Sequence, residues 1–225
     1  MYPIFSIILA LILAFGFCNQ IKKHPCIFYT ISVLIAIGIS VYYRLNLWET
    51  SPEWFTNYIT IHFKKGAFST ALFILVMYTG VLNPKWNITK KLYKIRGELS
   101  IIACIIILGH VGGSDKMYFT NLFSNTSGMQ IKYLIAASLT LLILLMLPLM
   151  ITSFAIVRKK IQTNTWKKVQ KLAYPFFALV YIHIISIYIP KAEKKWLEII
   201  LYTIIFSVYL VLSIIKGCKT NSKNV

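Results

Sequence analysis

Apolar and polar residues along this chain come in blocks. Seven apolar runs, at about 2–18, 26–46, 66–82, 97–113, 132–157, 172–189 and 196–215, are separated by short basic or polar connections. Most approach the roughly 20 residues that a helix needs to cross a bilayer, with 97–113 and 172–189 at the short end. Hydrocarbon offers no partner for a backbone N–H or C=O, so runs of this length predict helices. The expected fold is an all-α membrane protein, a multi-helix transmembrane bundle. The fifth run is the longest and contains Pro148, which predicts a tilt or kink. The first, YPIFSIILALILAFGFC, has no basic n-region and no A-x-A cleavage pattern. Lys22 and Lys23 follow it, which favours a retained helix with its N-terminus outside.

Composition agrees with this pattern. The 225 residues are 58% hydrophobic with a mean hydropathy of +0.71, and only 13% are charged, against about 25% in soluble domains. Twenty-four Lys and Arg against six Asp and Glu give a formal charge of +18. In a soluble protein that excess would point to nucleic acid. Here the cations lie in short inter-helix connections and offer no basic-aromatic surface, so nucleic acid is excluded as a partner and lipid headgroups are expected. The connections after the first, third, fifth and seventh runs hold 16 of the 24 cations, and the other connections hold eight together with five of the six carboxylates. The positive-inside rule then predicts a multi-pass cell-membrane protein, N-terminus outside and C-terminus cytoplasmic. Cys18, Cys26, Cys104 and Cys218 include no CxxC pair, which removes a zinc site or disulfide framework from consideration. No long loop is available for a soluble catalytic domain, and repeats are absent.

The histidines carry the candidate chemistry. His24 lies in a connection beside Pro25 and is expected to be solvated. His110 falls 13 residues into the fourth run from Gly97, about 20 Å at 1.5 Å per residue, and His183 falls 11 residues into the sixth from Leu172, about 16 Å. Both runs head outward, so the two imidazoles reach matched depths in the outer half. His62 lies just before the third run on the same side. An imidazole at such depth either hydrogen-bonds a neighbouring helix or ligates a metal. Two of them on different helices at one depth are what axial ligation of a b-type haem requires, with an apolar bundle around the porphyrin. The small residues of ILGHVGGS are expected to let a flat macrocycle approach.

The stretch TSFAIVRKKIQTNTWKKVQKLAYPFFALVYIH resembles the TS…RK…W…LH…Y…H signature of the ferric-reductase-like transmembrane domain. Its matching positions are Thr152, Ser153, Arg158, Lys159, Trp166, Tyr174 and His183. RGELSIIACIIILGH is similar to that family's RR…LG…LH helix, carrying Arg96 and His110, and IHFKKGAF resembles its HFTG motif, placing His62. The similarity runs from about 55 to 190, and the branch it resembles most is the haem-binding membrane subunit of the bacterial methionine sulfoxide reductase system. It implies a six-helix core plus one N-terminal helix: an additional helix and loop over 1–25, the haem-binding domain over 26–216, and a cytoplasmic tail over 217–225. It also implies a bacterial source. His110 and His183 are the implied haem ligands, with His62 a further candidate for the haem pocket. Arg158, Trp166, Gln170 and Tyr174 are candidates for contacts to FMN or a quinone, or for an interfacial aromatic and basic belt.

The departure is at Gln170. The family has histidine there, 13 residues before His183, and the equivalent position before His110 is Gly97. Neither is an ordinary haem ligand, so one haem b near the outer face is expected. The implied function is an electron-transfer subunit. Its donor is a cytoplasmic flavin reductase or a quinol, and its acceptor an extracytoplasmic reductase or flavoprotein. Two alternatives are a direct ferric or cupric reductase at the outer face and a haem-free transporter or assembly factor. The tail KGCKTNSKNV adds no recognisable FAD or NAD(P)H module, so oxidation of a nicotinamide nucleotide by this chain alone is not expected.

Overall fold

The computed structural model describes the backbone over residues 2–123 and 130–221, and side chains over 2–112 and 135–218. The connection GSDKMYFTNLFSNTSGMQ, with Asp115, lies outside the described side chains, as do Lys219 and Lys223. In chain order the helices are α1 (Tyr2–Gly16), α2 (Cys18–Lys23), α3 (Pro25–Arg44), α4 (Glu53–Phe55), α5 (Ile61–Lys64), α6 (Ala67–Val81) and α7 (Asn87–Phe123). They continue with α8 (Gln130–Ser153), α9 (Ala155–Lys160), α10 (Thr163–Gln170), α11 (Ala173–Tyr188) and α12 (Ala192–Asn221). No strand occurs among the described residues. Among the described residues, four helical stretches are long and apolar enough to cross a membrane: Pro25–Arg44, Asn87–Gly112, Ile135–Ser153 and Thr163–Cys218. A fifth forms if Glu53–Lys64 and Ala67–Val81, bent by 47° at their junction, count as one span. The chain is thus a multi-pass membrane protein by the length and composition of its helices.

The last stretch is 56 residues long, far more than one crossing needs. It folds as a hairpin. Tyr188 stacks on Tyr202 at 6.2 Å, Tyr181 lies tilted against Phe206 at 5.2 Å, and Phe177 meets Tyr209 edge-on at 4.8 Å, the pairing order of antiparallel helices. The hairpin is sewn to α6 where the Tyr78 hydroxyl donates to the Ile205 carbonyl at 2.6 Å. Phe73 and Phe176 join α6 to α11 in the same core.

Two expectations about helix ends need correction. The fifth apolar run was expected to continue to 157, yet α8 stops at Ser153 because Phe154 is extended (φ −63°, ψ 131°), and a separate short α9 follows. Pro148 sits inside α8 without ending it, and the Thr152 hydroxyl donates to the Pro148 carbonyl at 2.7 Å. The fourth run begins earlier than 97, because the polar turns from Asn87 continue as one helix with it.

Small residues decide how closely the helices approach. Pro3, Ser6, Ala10 and Ala14 form the buried face of α1, which packs on α6 and is integrated into the common core. A close crossing joins α3 and α7. A Cβ on Gly109 would stand 2.7 Å from the Cα and carbonyl oxygen of Ala36, so only glycine admits this approach. Ser40 then donates to the Gly109 carbonyl at 3.1 Å, and Arg44 to the Gly112 carbonyl at 2.9 Å. Of the small residues beside His110, Gly109 and Gly112 therefore receive α3. Gly109→Val is expected to destabilise the protein by about 1–3 kcal/mol through overpacking. Gly38→Ala, with nothing within 4 Å of its added Cβ, is expected to keep stability or raise it by up to about 1 kcal/mol. Thermal unfolding of both variants in one detergent checks the contrast.

Candidate functional site

His110 on α7 and His183 on α11 are each held by one ring nitrogen. His110 Nδ1–H donates to the backbone carbonyl of Lys64, at the end of α5. A carbonyl can only accept, so this bond places the proton on Nδ1 and leaves Nε2 with a lone pair. His183 Nδ1 lies 2.9 Å from the Ser138 hydroxyl on α8. That hydroxyl already donates its proton to the Ile135 carbonyl at 2.8 Å, so His183 Nδ1–H is the donor in the pair. The same tautomer results, again with Nε2 free.

The support for His110 depends on a break in the chain direction. Gly66 is left-handed (φ 64°), and the turn it makes between α5 and α6 leaves the Lys64 carbonyl for the imidazole. A Cβ on Gly66 would meet Ile107 Cδ1 at 2.8 Å and the His110 ring at 3.4 Å, so the glycine serves both the backbone angle and the fit of the ring. Upstream, a π-helical turn over Thr56–Thr60 reorients the segment, pinned by Tyr42 to Thr56 at 2.8 Å and Tyr43 to Thr60 at 2.6 Å.

His62 is used differently. It is 4% exposed, and its Nδ1 lies 2.8 Å from the Ser6 hydroxyl of α1. Phe5 and Tyr2 pack on its ring with centroids 4.7 and 5.9 Å away. Its contacts tie α1 to the bundle and do not join it to the other two histidines.

The residues of the 152–170 signature gather at the opposite end of the bundle. Trp166 Nε1–H donates to the Thr152 carbonyl at 3.1 Å, and the Gln170 amide donates to the Thr152 hydroxyl at 3.1 Å. The Arg158 guanidinium lies over the Trp166 ring at 4.4 Å. These groups border a cavity of about 750 Å³. Its deep walls are apolar and buried, among them Phe73, Val76, Met146, Leu149 and Phe176, and its rim carries Lys22, Lys94, Arg96, Arg158 and Lys159. Gly97 and Gln170, the two positions 13 residues before the histidines, both line it. Tyr174 does not; its ring is 56% exposed, as an interfacial aromatic is. Among the described residues, no group of three or more His, Cys, Asp or Glu is placed to hold a metal ion.

Sequence reasoning missed Lys64, Gly66 and Ser138 as supports of the histidines. Ser138, one of two hydroxyls with Thr140 in the apolar run LIAASLTLLILL, was the available signal. Lys64 acts through its backbone, which no side-chain pattern reveals.

The chain is similar to an uncharacterized protein of Treponema pallidum (strain Nichols), 31% identical over 224 residues, a match taking in 96% of this chain and 61% of that relative. The chain thus spans less than two thirds of the relative's length. No family model matches it, and no solved structure does.

Gly66→Ala is expected to destabilise the protein by about 1–2 kcal/mol, the cost of a left-handed residue with a Cβ. Equal melting temperatures for wild type and Gly66→Ala would show that the turn is not required.

Proposed function

We propose that this protein is a membrane electron-transfer subunit that carries one b-type haem between His110 and His183. The observation that carries the reading is the state of the two imidazoles. Each is fixed through Nδ1–H by a partner on another helix, one by the Lys64 carbonyl and one by the Ser138 hydroxyl. That arrangement sets ring orientation and tautomer and presents Nε2 as a ligand, the way metal-bound histidines are ordinarily supported. Two neutral imidazoles, those of His110 and His183, would hold a haem iron without a third acidic or thiol group. A haem held there supplies a one-electron couple.

The chain's own residues orient the ligands and exclude water. Gly66 brings the α5 carbonyl to His110, and the apolar helices keep the pair out of bulk solvent. The acceptor is an extracytoplasmic reductase or flavoprotein. The donor is a quinol, which reaches the outer half of the bilayer by diffusing in the membrane, or a cytoplasmic flavin reductase. His62 belongs to the packing of α1.

A reduced-minus-oxidised difference spectrum of the purified protein tests this. A sharp α band is expected, lost in His110→Ala and in His183→Ala and retained in His62→Gln. Ser138→Ala should weaken haem retention about 10–100-fold, the usual effect of removing a ligand's outer partner. A spectrum without the band, unchanged by either alanine variant, would refute the reading. In a pyridine haemochrome assay one haem per chain is expected, because Gly97 and Gln170 supply no imidazole to the inner cavity; two per chain would overturn the single-haem assignment.

A further inference from the structure

The cavity at the basic end is unexplained by the histidine pair, which does not line it. Its volume, about 750 Å³, falls within the range of ligand-sized pockets, roughly 300–1,000 Å³. Charge and polarity are distributed within it in a way that selects an occupant. The rim cations Lys94, Arg96, Arg158 and Lys159 form no ion pair among the described residues, and Glu98, the one carboxylate at the rim, is taken by Lys22 at 2.8 Å. Among the described residues, the cluster of cations at this cavity therefore lacks a protein counter-charge.

The inner polar groups, by contrast, already have partners. Thr152 donates to the Pro148 carbonyl and accepts from Gln170, and Ser153 donates to the Leu149 carbonyl at 2.7 Å. The Trp166 indole N–H is bound to the Thr152 carbonyl, and a face of its ring is covered by Arg158. Among the described residues, the two buried side-chain atoms left without a partner, Ser69 Oγ and Thr89 Oγ1, lie outside the cavity lining. An aromatic ring system rich in donors and acceptors, such as a flavin, would find few groups here to read it. A ligand with an anionic head and an inert apolar body would find its match.

We infer that this cavity binds an acidic phospholipid, its phosphate among Lys94, Arg96 and Arg158 and an acyl chain against Phe73, Met146, Leu149 and Phe176. Basic pockets between transmembrane helices on the cytoplasmic side take anionic headgroups in this way. The chain's cation distribution places this end in the cytoplasm by the positive-inside rule. The lipid would seal the opening that Gly97 and Gln170 leave, and would offset the local repulsion of the rim cations. This inference is independent of the haem assignment.

The full-length chain, purified in mild detergent and stripped of lipid, is titrated with phosphatidylglycerol or phosphatidylcholine while native mass spectrometry counts bound lipid. A single phosphatidylglycerol is expected to be retained where phosphatidylcholine is not. The combined Lys94→Gln, Arg96→Gln and Arg158→Gln variant should lose on the order of a hundredfold in retention, from three headgroup contacts. Leu149→Trp keeps every charge and fills the apolar part, and should also exclude the lipid; circular dichroism confirms that each variant keeps its helices. Equal retention of the two lipids, or undiminished retention by a folded triple variant, would overturn the inference. So would FMN binding in competition with phosphatidylglycerol, which would make the cavity a flavin site.

Discussion

A single backbone carbonyl governs the geometry around His110. The left-handed turn at Gly66 interrupts the helical ladder between α5 and α6, and among the described residues no backbone N–H takes the Lys64 oxygen. An unpaired carbonyl in apolar surroundings costs a few kcal/mol, and in the bilayer water is not at hand to relieve it. His110 Nδ1–H supplies the partner. The bond works in both directions, satisfying the break in the main chain and committing the imidazole to one tautomer. The position of α5, the bend of 47° into α6 and the aim of Nε2 are thereby one coupled arrangement.

Helix spacing follows from the same region of α7. Gly109 lets the α3 backbone come close at Ala36, and Ser40 and Arg44 reach the carbonyls of Gly109 and Gly112. Successive residues on a helix point about 100° apart. The glycine face that receives α3 therefore turns the adjacent His110 side chain toward α5 and α6. On the facing side, Ser138 does for His183 what the Lys64 carbonyl does for His110, with the difference that a hydroxyl relays its own proton to the Ile135 carbonyl.

The two ends of the bundle differ in how their charges are balanced. At the end near the start of α1, Lys195 pairs with Glu198 at 2.8 Å, and Lys65 lies over the Tyr2 ring at 3.9 Å. At the other end Glu98 is the one carboxylate facing a crowd of cations, and it is bound to Lys22. Such an imbalance is tolerable beside an anionic leaflet and would be self-repelling elsewhere. The cavity opens at this end.

The apolar blocks by themselves determined that the chain is a helical membrane protein, since runs near 20 residues have no other way to satisfy their backbone in hydrocarbon. The placement of His110 and His183 on different helices was equally legible, because helical rise converts sequence position into depth. Less was legible about what holds them. The Lys64 carbonyl carries no side-chain signature, and His62, alike in sequence context, is consumed by Ser6 and the aromatic residues of α1. Gln170 stood out as a departure from a histidine pattern, yet its tie to Thr152 at the edge of a cavity became visible only when α8, α10 and α11 were brought together. Periodicity and length are local properties and survive in one dimension. Which nitrogen is bound, which glycine is filled by a neighbouring helix and which cations go unpaired depend on contacts between distant segments, and those the tertiary structure alone decided.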